Sequence, residues 1–163
     1  MFNKNLNARI DINSNNIHNK LFDFAKILIN FDNGKINFNN SLLTSKKVGS
    51  IKLIESNLDF IDEKLIFKGS FNFNVIDQKK FYTVFQIPKK NRKLLKNIFF
   101  DIHIDSSKDK LNINNFKIND KKSIVNENTM NFINQYNSKK ENIILNWINL
   151  KNFTREIFSI YFG

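Results

Sequence analysis

Apolar and polar positions alternate along most of this chain. The alternation is clearest between Lys64 and Val75, where Leu65, Phe67, Gly69, Phe71, Phe73 and Val75 are interleaved with Ile66, Lys68, Ser70, Asn72 and Asn74. Successive side chains of a strand point to opposite faces, so this segment predicts an extended strand with one apolar and one largely polar side. The period then changes. Phe81, Val84 and Phe85 recur at three- and four-residue steps, which predicts a short helix ended by Gln86-Ile87-Pro88, because the residue before a proline is pushed out of the helical region.

The period of two recurs on both sides of this stretch. Leu6, Ala8, Ile10 and Ile12, set against Asn7, Arg9 and Asp11, predict a first strand, with a polar loop from Asn13 to Lys20. Phe22 to Phe31 predicts a second, with Ile27, Ile29 and Phe31 inward, running into Asp32-Asn33-Gly34-Lys35. Asn-Gly between apolar alternations is the strongest short-range hairpin signal. Its partner strand carries Ile36, Phe38 and Leu42. Ile51 to Phe60 is extended, with a phase change near Glu55 and Ser56 that predicts a bulge, and Ile61-Asp62-Glu63-Lys64 turns the chain into the central strand. Ile98, Phe100, Ile102 and Ile104 then alternate with Phe99, Asp101, His103 and Asp105. Leu111, Ile113, Phe116 and Ile118 return after one slipped residue at Asn114-Asn115. Lys35 to Ser41 and Lys110 to Phe116 share a pattern after Asp-containing turns, a weak repeat that suits a stack of hairpins.

From about Lys121 the spacing becomes helical. Asn126 to Tyr136 is loosely periodic through Met130, Ile133 and Tyr136. Ser138-Lys139-Lys140-Glu141 has the form of a capping box. Ile143, Trp147, Leu150, Phe153, Ile157 and Ile160 make one stripe, with Asn142, Asn146, Asn149, Asn152, Glu156 and Ser159 opposite, which predicts an amphipathic helix of about five turns. It is expected to cover a face or end of the sheet, with docking on a membrane surface as the alternative. The expected fold is mainly β, of the α+β class: an extended twisted antiparallel sheet of hairpins with a short helical insert and a C-terminal amphipathic helix. The 163 residues suit a single domain. Within it, strands are expected over 1–76, the insert over 77–96, a hairpin over 97–119 and a helical tail over 120–163.

Charge adds a partner class. With 26 Lys and Arg against 15 Asp and Glu, the net charge of +11 attracts phosphate backbones or an anionic membrane surface. The charge is spread along the chain, however, and a composition rich in Lys, Asn, Ile and Phe is also what AU-rich codons produce. Four Gly and one Pro leave the tight turns to Asn. The absence of Cys excludes disulfides, thiolate metal sites and a cysteine nucleophile. The densest cationic cluster is Lys89, Lys90, Arg92, Lys93 and Lys96. It is suited to lipid headgroups, to nucleic-acid phosphates with Phe81, Tyr82 and Phe85 nearby for stacking, or to the exposed side of a helix-turn-helix-like cover whose aromatic residues enter the core. Asp101, His103 and Asp105 share one side of a strand, but a metal site gathers ligands from several elements, so they read as a solvated face. There is no Gly-rich phosphate loop, nucleophile elbow or isolated carboxylate pair, so no catalytic residue, metal or cofactor is expected and the chain does not read as an enzyme. The N-terminus has no run of signal-peptide length, and no window of about twenty residues is free of charge. The chain reads as cytoplasmic or as a fragment of a longer protein.

The order of these parts resembles a known family. Strands ending in Leu65-Ile66-Phe67-Lys68-Gly69-Ser70-Phe71, a helix from Asp77 to Phe85, the stretch from Phe81 to Arg92 and the returning Ile98-Phe99-Phe100-Asp101 are similar to the C-terminal region of AsmA-like proteins, of the YhdP and TamB type, over residues 25–120. The resemblance implies a cell-envelope protein of a Gram-negative bacterium, whose β-units form a curved groove with a role in phospholipid transport and outer-membrane biogenesis. It implies that this chain is the C-terminal fragment of a periplasmic protein held to the inner membrane by an N-terminal anchor outside this sequence. Phe38, Phe67, Phe71, Phe73, Phe100 and Ile102 would line a groove for acyl chains, with Lys89, Lys90, Arg92, Lys93 and Lys96 near anionic headgroups. The implied partners are phospholipid or a membrane surface and the rest of a β-scaffold, and nucleic acid is not expected among them. A plain sheet-on-helix core uses the same apolar residues. Two further readings are a basic nucleic-acid-binding module and a purely structural cap of a longer scaffold; an edge left open at Ala8 to Ile12 would mark the cap.

Overall fold

The computed structural model describes residues 5–15, 17, 21–107, 110–119, 127–138 and 147–162. Its strands are β1 (Ala8–Ser14), β2 (Phe24–Asp32), β3 (Lys35–Asn37), β4 (Leu42–Ser45), β5 (Gly49–Ile61), β6 (Lys64–Val75), β7 (Asn97–Asp105) and β8 (Lys110–Ile118). They form one antiparallel sheet in the order β1-β2-β3-β5-β6-β7-β8, with β4 sharing the lane of β3 between β2 and β5. Spatial order follows chain order, so the sheet is a meander, with the longest connection, between β6 and β7, carrying a helix.

The turns explain why it runs this way. Asn33 and Gly34 (φ 50 and 77) and Asp62 and Glu63 (φ 49 and 62) place both central residues in the left-handed region. Such turns match the twist of the strands they join. Asn takes the same region at Asn40, Asn115 and Asn119. Both predicted irregularities are present. The register of β5 against β6 slips between Leu53 and Glu55, leaving Ile54 extra, and β8 carries one extra residue at Asn115 opposite the Phe99–Asp101 step of β7.

Four details of the strands differ from the sequence reading. The strand expected through Phe38 to Leu42 is broken: β3 ends at Asn37, the chain reverses at Asn40, and Leu43, not Leu42, pairs with Ile51. Ser41 fills the gap, its hydroxyl accepting from Leu28 N at 2.9 Å. Consequently the segment from Lys35 makes a three-residue strand and the similar one from Lys110 a nine-residue strand. Asn13 and Ser14 belong to β1 and not to a loop. On β2 the most buried residue is Leu28, on the side opposite Ile27 and Ile29, which are only half-buried.

α1 (Gln78–Val84) starts where the Asp77 carboxylate accepts from Lys80 N at 3.0 Å. It ends as predicted, with Gln86 at φ 55 reversing the chain so that Ile87 N donates to Tyr82 O at 2.9 Å. A second helix does not follow. Pro88 offers no amide, and only a single 3-10 turn (Lys89–Asn91) precedes an irregular run into β7. α2 (Glu127–Ser138) and α3 (Trp147–Phe162) complete the tail. Ser138 closes α2, its hydroxyl donating to Gln135 O at 2.7 Å; the remainder of the expected capping box and Ile143 lie outside the described residues.

Gly49 (φ +150) begins β5 where an added Cβ would lie 2.0 Å from Asn74 O, whereas one at Gly69 would meet the Phe67 and Leu53 side chains at 2.8 and 3.1 Å. Gly49→Ala is expected to destabilise the protein by at least about 2 kcal/mol, and Gly69→Ala by clearly less, as read from urea unfolding midpoints at constant slope.

Candidate functional site

Residues directly opposite each other in an antiparallel sheet share a face, so the register shows what each side of the sheet is made of. One line runs across it through Ala8, Phe31, Ile36, Leu58, Phe67, Ile104 and Leu111. A second runs through Leu43, Ile51, Phe73, Ile98 and Ile118. Both are wholly apolar. On the reverse, Asn57, Lys68, His103 and Asn112 make a polar line.

The described helices α1, α2 and α3 cover only part of the apolar face. Phe81, Phe158 and Ile157 are fully buried above Phe73, Ile98 and Ile118. The Phe81 ring packs against those of Phe73, Phe85 and Phe158, with centroids at 5.5, 4.5 and 5.5 Å. α2 is tied to β8 by Asn137, whose Oδ1 accepts from Ile113 N and whose Nδ2 donates to Ile113 O, each at 2.9 Å. The Tyr136 ring packs at a tilt against that of Phe153, centroids 4.5 Å apart, and burial, with Glu156 adding to it, pushes its phenol up to about 12. In the α3 stripe Phe153 and Ile157 are buried as expected, joined by Thr154 and Phe158. Ser159, expected to face solvent, accepts from Asn91 Nδ2 at 2.8 Å.

A cavity of about 250 Å³ remains beneath α3, bounded by Phe71, Phe100, Ile102, Ile113, Phe153 and Ile157 among others. A second, of about 340 Å³, is lined by Ile27, Phe38, Leu43, Leu58, Phe67 and Phe71. They share Leu43, Ile51 and Phe71, so together they form one apolar trough leading from the helices towards β2. Beyond it Ile10 and Ile12 are 46% and 50% exposed and Leu65 is 42% exposed.

All six residues expected in a groove border this trough, five of them away from the tight core under α1. Phe38 meets Phe67 edge-on at 6.0 Å, and Phe71 stacks on Phe100 at 5.3 Å. Ile102 sits opposite Gly69, whose missing side chain leaves room for the Phe67 ring. Phe73, the sixth, also borders the cavity but is 5% exposed and packed under α1. Sequence reading missed Leu43 and Leu58 as lining residues, the first because the break after Asn37 shifts the phase by one.

The cationic cluster stands elsewhere. Lys96 O accepts from Val75 N, which puts the whole Lys89 to Lys96 run at the Val75 end of β6. Phe67 is eight residues away, roughly 25 Å by the strand rise. Arg92 is anchored, Nε donating to Ile87 O at 2.9 Å and the guanidinium 5.8 Å from the Tyr82 ring; Lys93 Nζ lies 5.6 Å from the Phe162 ring. The Tyr82 hydroxyl donates to Lys93 O, and burial raises its phenol above the ordinary value. Lys89, Lys90 and Lys96 are exposed. Phe81, Tyr82 and Phe85, the rings considered for base stacking, are 0%, 4% and 3% exposed and belong to the core.

Asp101 and Asp105 are engaged locally, by Asn115 Nδ2 and by Ser107, on the polar face that also carries His103. Among the described residues no three His, Asp or Glu side chains are gathered as a metal site, and no helix is long and apolar enough to cross a membrane. Compared with protein-family models, curated proteins and solved structures, the chain shows no match.

Two outcomes follow from this packing. Phe158→Ala is expected to lower stability by about 3–5 kcal/mol, and Phe67→Ala by less than half of that because its ring is only half-buried, both measured by chemical denaturation. The unfolded state releases the Tyr136 proton near pH 10 while the folded state keeps it to about 12. Stability is therefore expected to fall as pH rises through that interval, and Tyr136→Phe to remove that part of the fall, as followed by unfolding midpoints against pH.

Proposed function

We propose that this chain shields the acyl chains of phospholipid in its apolar trough, as the C-terminal module of an AsmA-like envelope protein on the periplasmic side of the inner membrane. The observation that carries the reading is the apolar line from Leu111 to Ala8, which continues across lanes that the helices do not cover. The line is exposed at Ala8, half-buried at Phe31, Leu58, Phe67, Ile104 and Leu111 and closed at Ile36, and partly open apolar surface of this continuity calls for a greasy occupant. The trough offers dispersion contact without a directional polar group, which suits hydrocarbon and discriminates poorly between lipids.

In this reading the cationic cluster does not clamp the headgroup of a lipid lying against Phe67, since it stands at the other end of β6. Lys89, Lys90, Arg92, Lys93 and Lys96 instead meet an anionic membrane surface, where each adds roughly 1 kcal/mol of attraction. The trough then runs away from that surface. The remaining partner is the rest of a longer β-scaffold, and the chain itself performs no chemistry.

Protein purified from a bacterial host and extracted with organic solvent should release phospholipid detectable by mass spectrometry. The double variant Phe38→Asp/Phe67→Asp, with wild-type circular dichroism, should retain about a tenth or less. Wild-type protein that is consistently free of lipid would overturn the reading. Separately, Lys89→Glu/Lys90→Glu/Lys93→Glu should weaken co-sedimentation with phosphatidylglycerol vesicles by on the order of tenfold or more while leaving the extracted lipid unchanged.

A further inference from the structure

The two edges of the sheet are treated differently. At one, α2 lies against β8, and the Asn137 amide supplies a donor and an acceptor to Ile113 just as a further strand would. That edge also carries the bulge at Asn115. At the other edge β1 pairs with β2 over seven consecutive residues without a slip, and no described strand lies beyond it. Natural sheets usually blunt such an edge with Lys, Pro, a bulge or a cover. Ala8-Arg9-Ile10-Asp11-Ile12-Asn13-Ser14 contains no Lys or Pro, and Ala8 to Asn13 are exposed.

We infer that β1 is a pairing surface for a second copy of this chain, the two β1 strands running antiparallel about a two-fold axis at Ile10. The sequence selects this register. With Ile10 opposite Ile10, Ala8 faces Ile12 and Arg9 faces Asp11 of the second copy, on both sides of the axis. Centring on Arg9 or on Asp11 would oppose like charges, and any odd shift would set apolar residues against polar ones. Within one chain Arg9 already grips Asp11 through Nε at 2.8 Å and Nη2 at 3.2 Å. In the pair the two guanidinium groups and two carboxylates form an alternating square on the polar face. On the opposite face Ala8, Ile10 and Ile12 of both copies meet, so the exposed ends of the two apolar faces become one continuous surface. The pairing rests on strand edge and charge, independently of whether lipid fills the trough, and it takes the edge that a preceding strand of a longer scaffold would otherwise occupy.

Analytical ultracentrifugation of the full chain should show concentration-dependent association to twice its 19.3 kDa mass. Asp11→Arg alone and Arg9→Asp alone should each weaken association by about tenfold or more, and mixing the two variants should restore it as a heterodimer, because each then presents the charges the other needs. The chain has no Cys, so Ile10→Cys tests the axis directly. Opposed residues have Cβ atoms close enough to bridge, and mild oxidation should give a cross-linked dimer, while Asn13→Cys, set opposite Asn7, should not. A chain that stays monomeric up to its solubility limit would overturn the inference. So would a dimer indifferent to both charge reversals, or equal cross-linking at positions 10 and 13. None of these results touches the lipid extraction, so the two proposals fail separately.

Discussion

Everything in this structure depends on one regularity, the two-residue alternation of apolar side chains held in phase across antiparallel lanes. Because each lane is in register with the next, Phe31, Ile36, Leu58, Phe67 and Ile104 stand side by side although they come from five strands. A slip of one residue anywhere would send a lane's apolar set to the opposite side. The two bulges do not break this rule. Ile54 and Asn115 each absorb an extra residue so that Leu53, Leu58, Ile113 and Phe116 remain on the apolar side despite the odd count between them.

A sheet with one such face must bury it, and the described helices cover only part of it. α1 supplies Phe81, Tyr82 and Phe85, and α3 supplies Phe153, Ile157 and Phe158, which cover the face over β5 to β8 and leave a cavity beneath α3. The core there is dense in rings, with Phe81 at its centre, and it is this part that gives the protein its folded stability. Over β1 to β3 the same kind of surface continues without a described helix above it. The trough is the boundary between these regimes. Its walls come partly from the packed core and partly from lanes that no described helix covers.

Much of this was legible in the chain. Period-two runs gave the strands, Asn-Gly and Asp-Glu turns gave their order, and phase changes gave both bulges. What escaped had a physical cause in each case. The break after Asn37 depends on Asn40 adopting a left-handed conformation and on the Ser41 hydroxyl substituting for a ladder bond, neither of which alters the hydrophobic pattern. Lys89 to Lys96 has helix-forming residues, but a reversal at Gln86 and the constraint of Pro88 outweigh propensity. The site was half legible: the aromatic lining could be named from alternation, whereas the distance between that lining and the cationic run required the register of β6 against β7.

The Asn137 side chain has a consequence of its own. By offering Ile113 both halves of a backbone-like contact, it stoppers one margin of the sheet. Growth by strand addition can then proceed only from the other margin, and a two-fold contact there consumes it in both participants. Such an assembly is closed after a single step, so strand addition through the described margins offers no head-to-tail route to filaments.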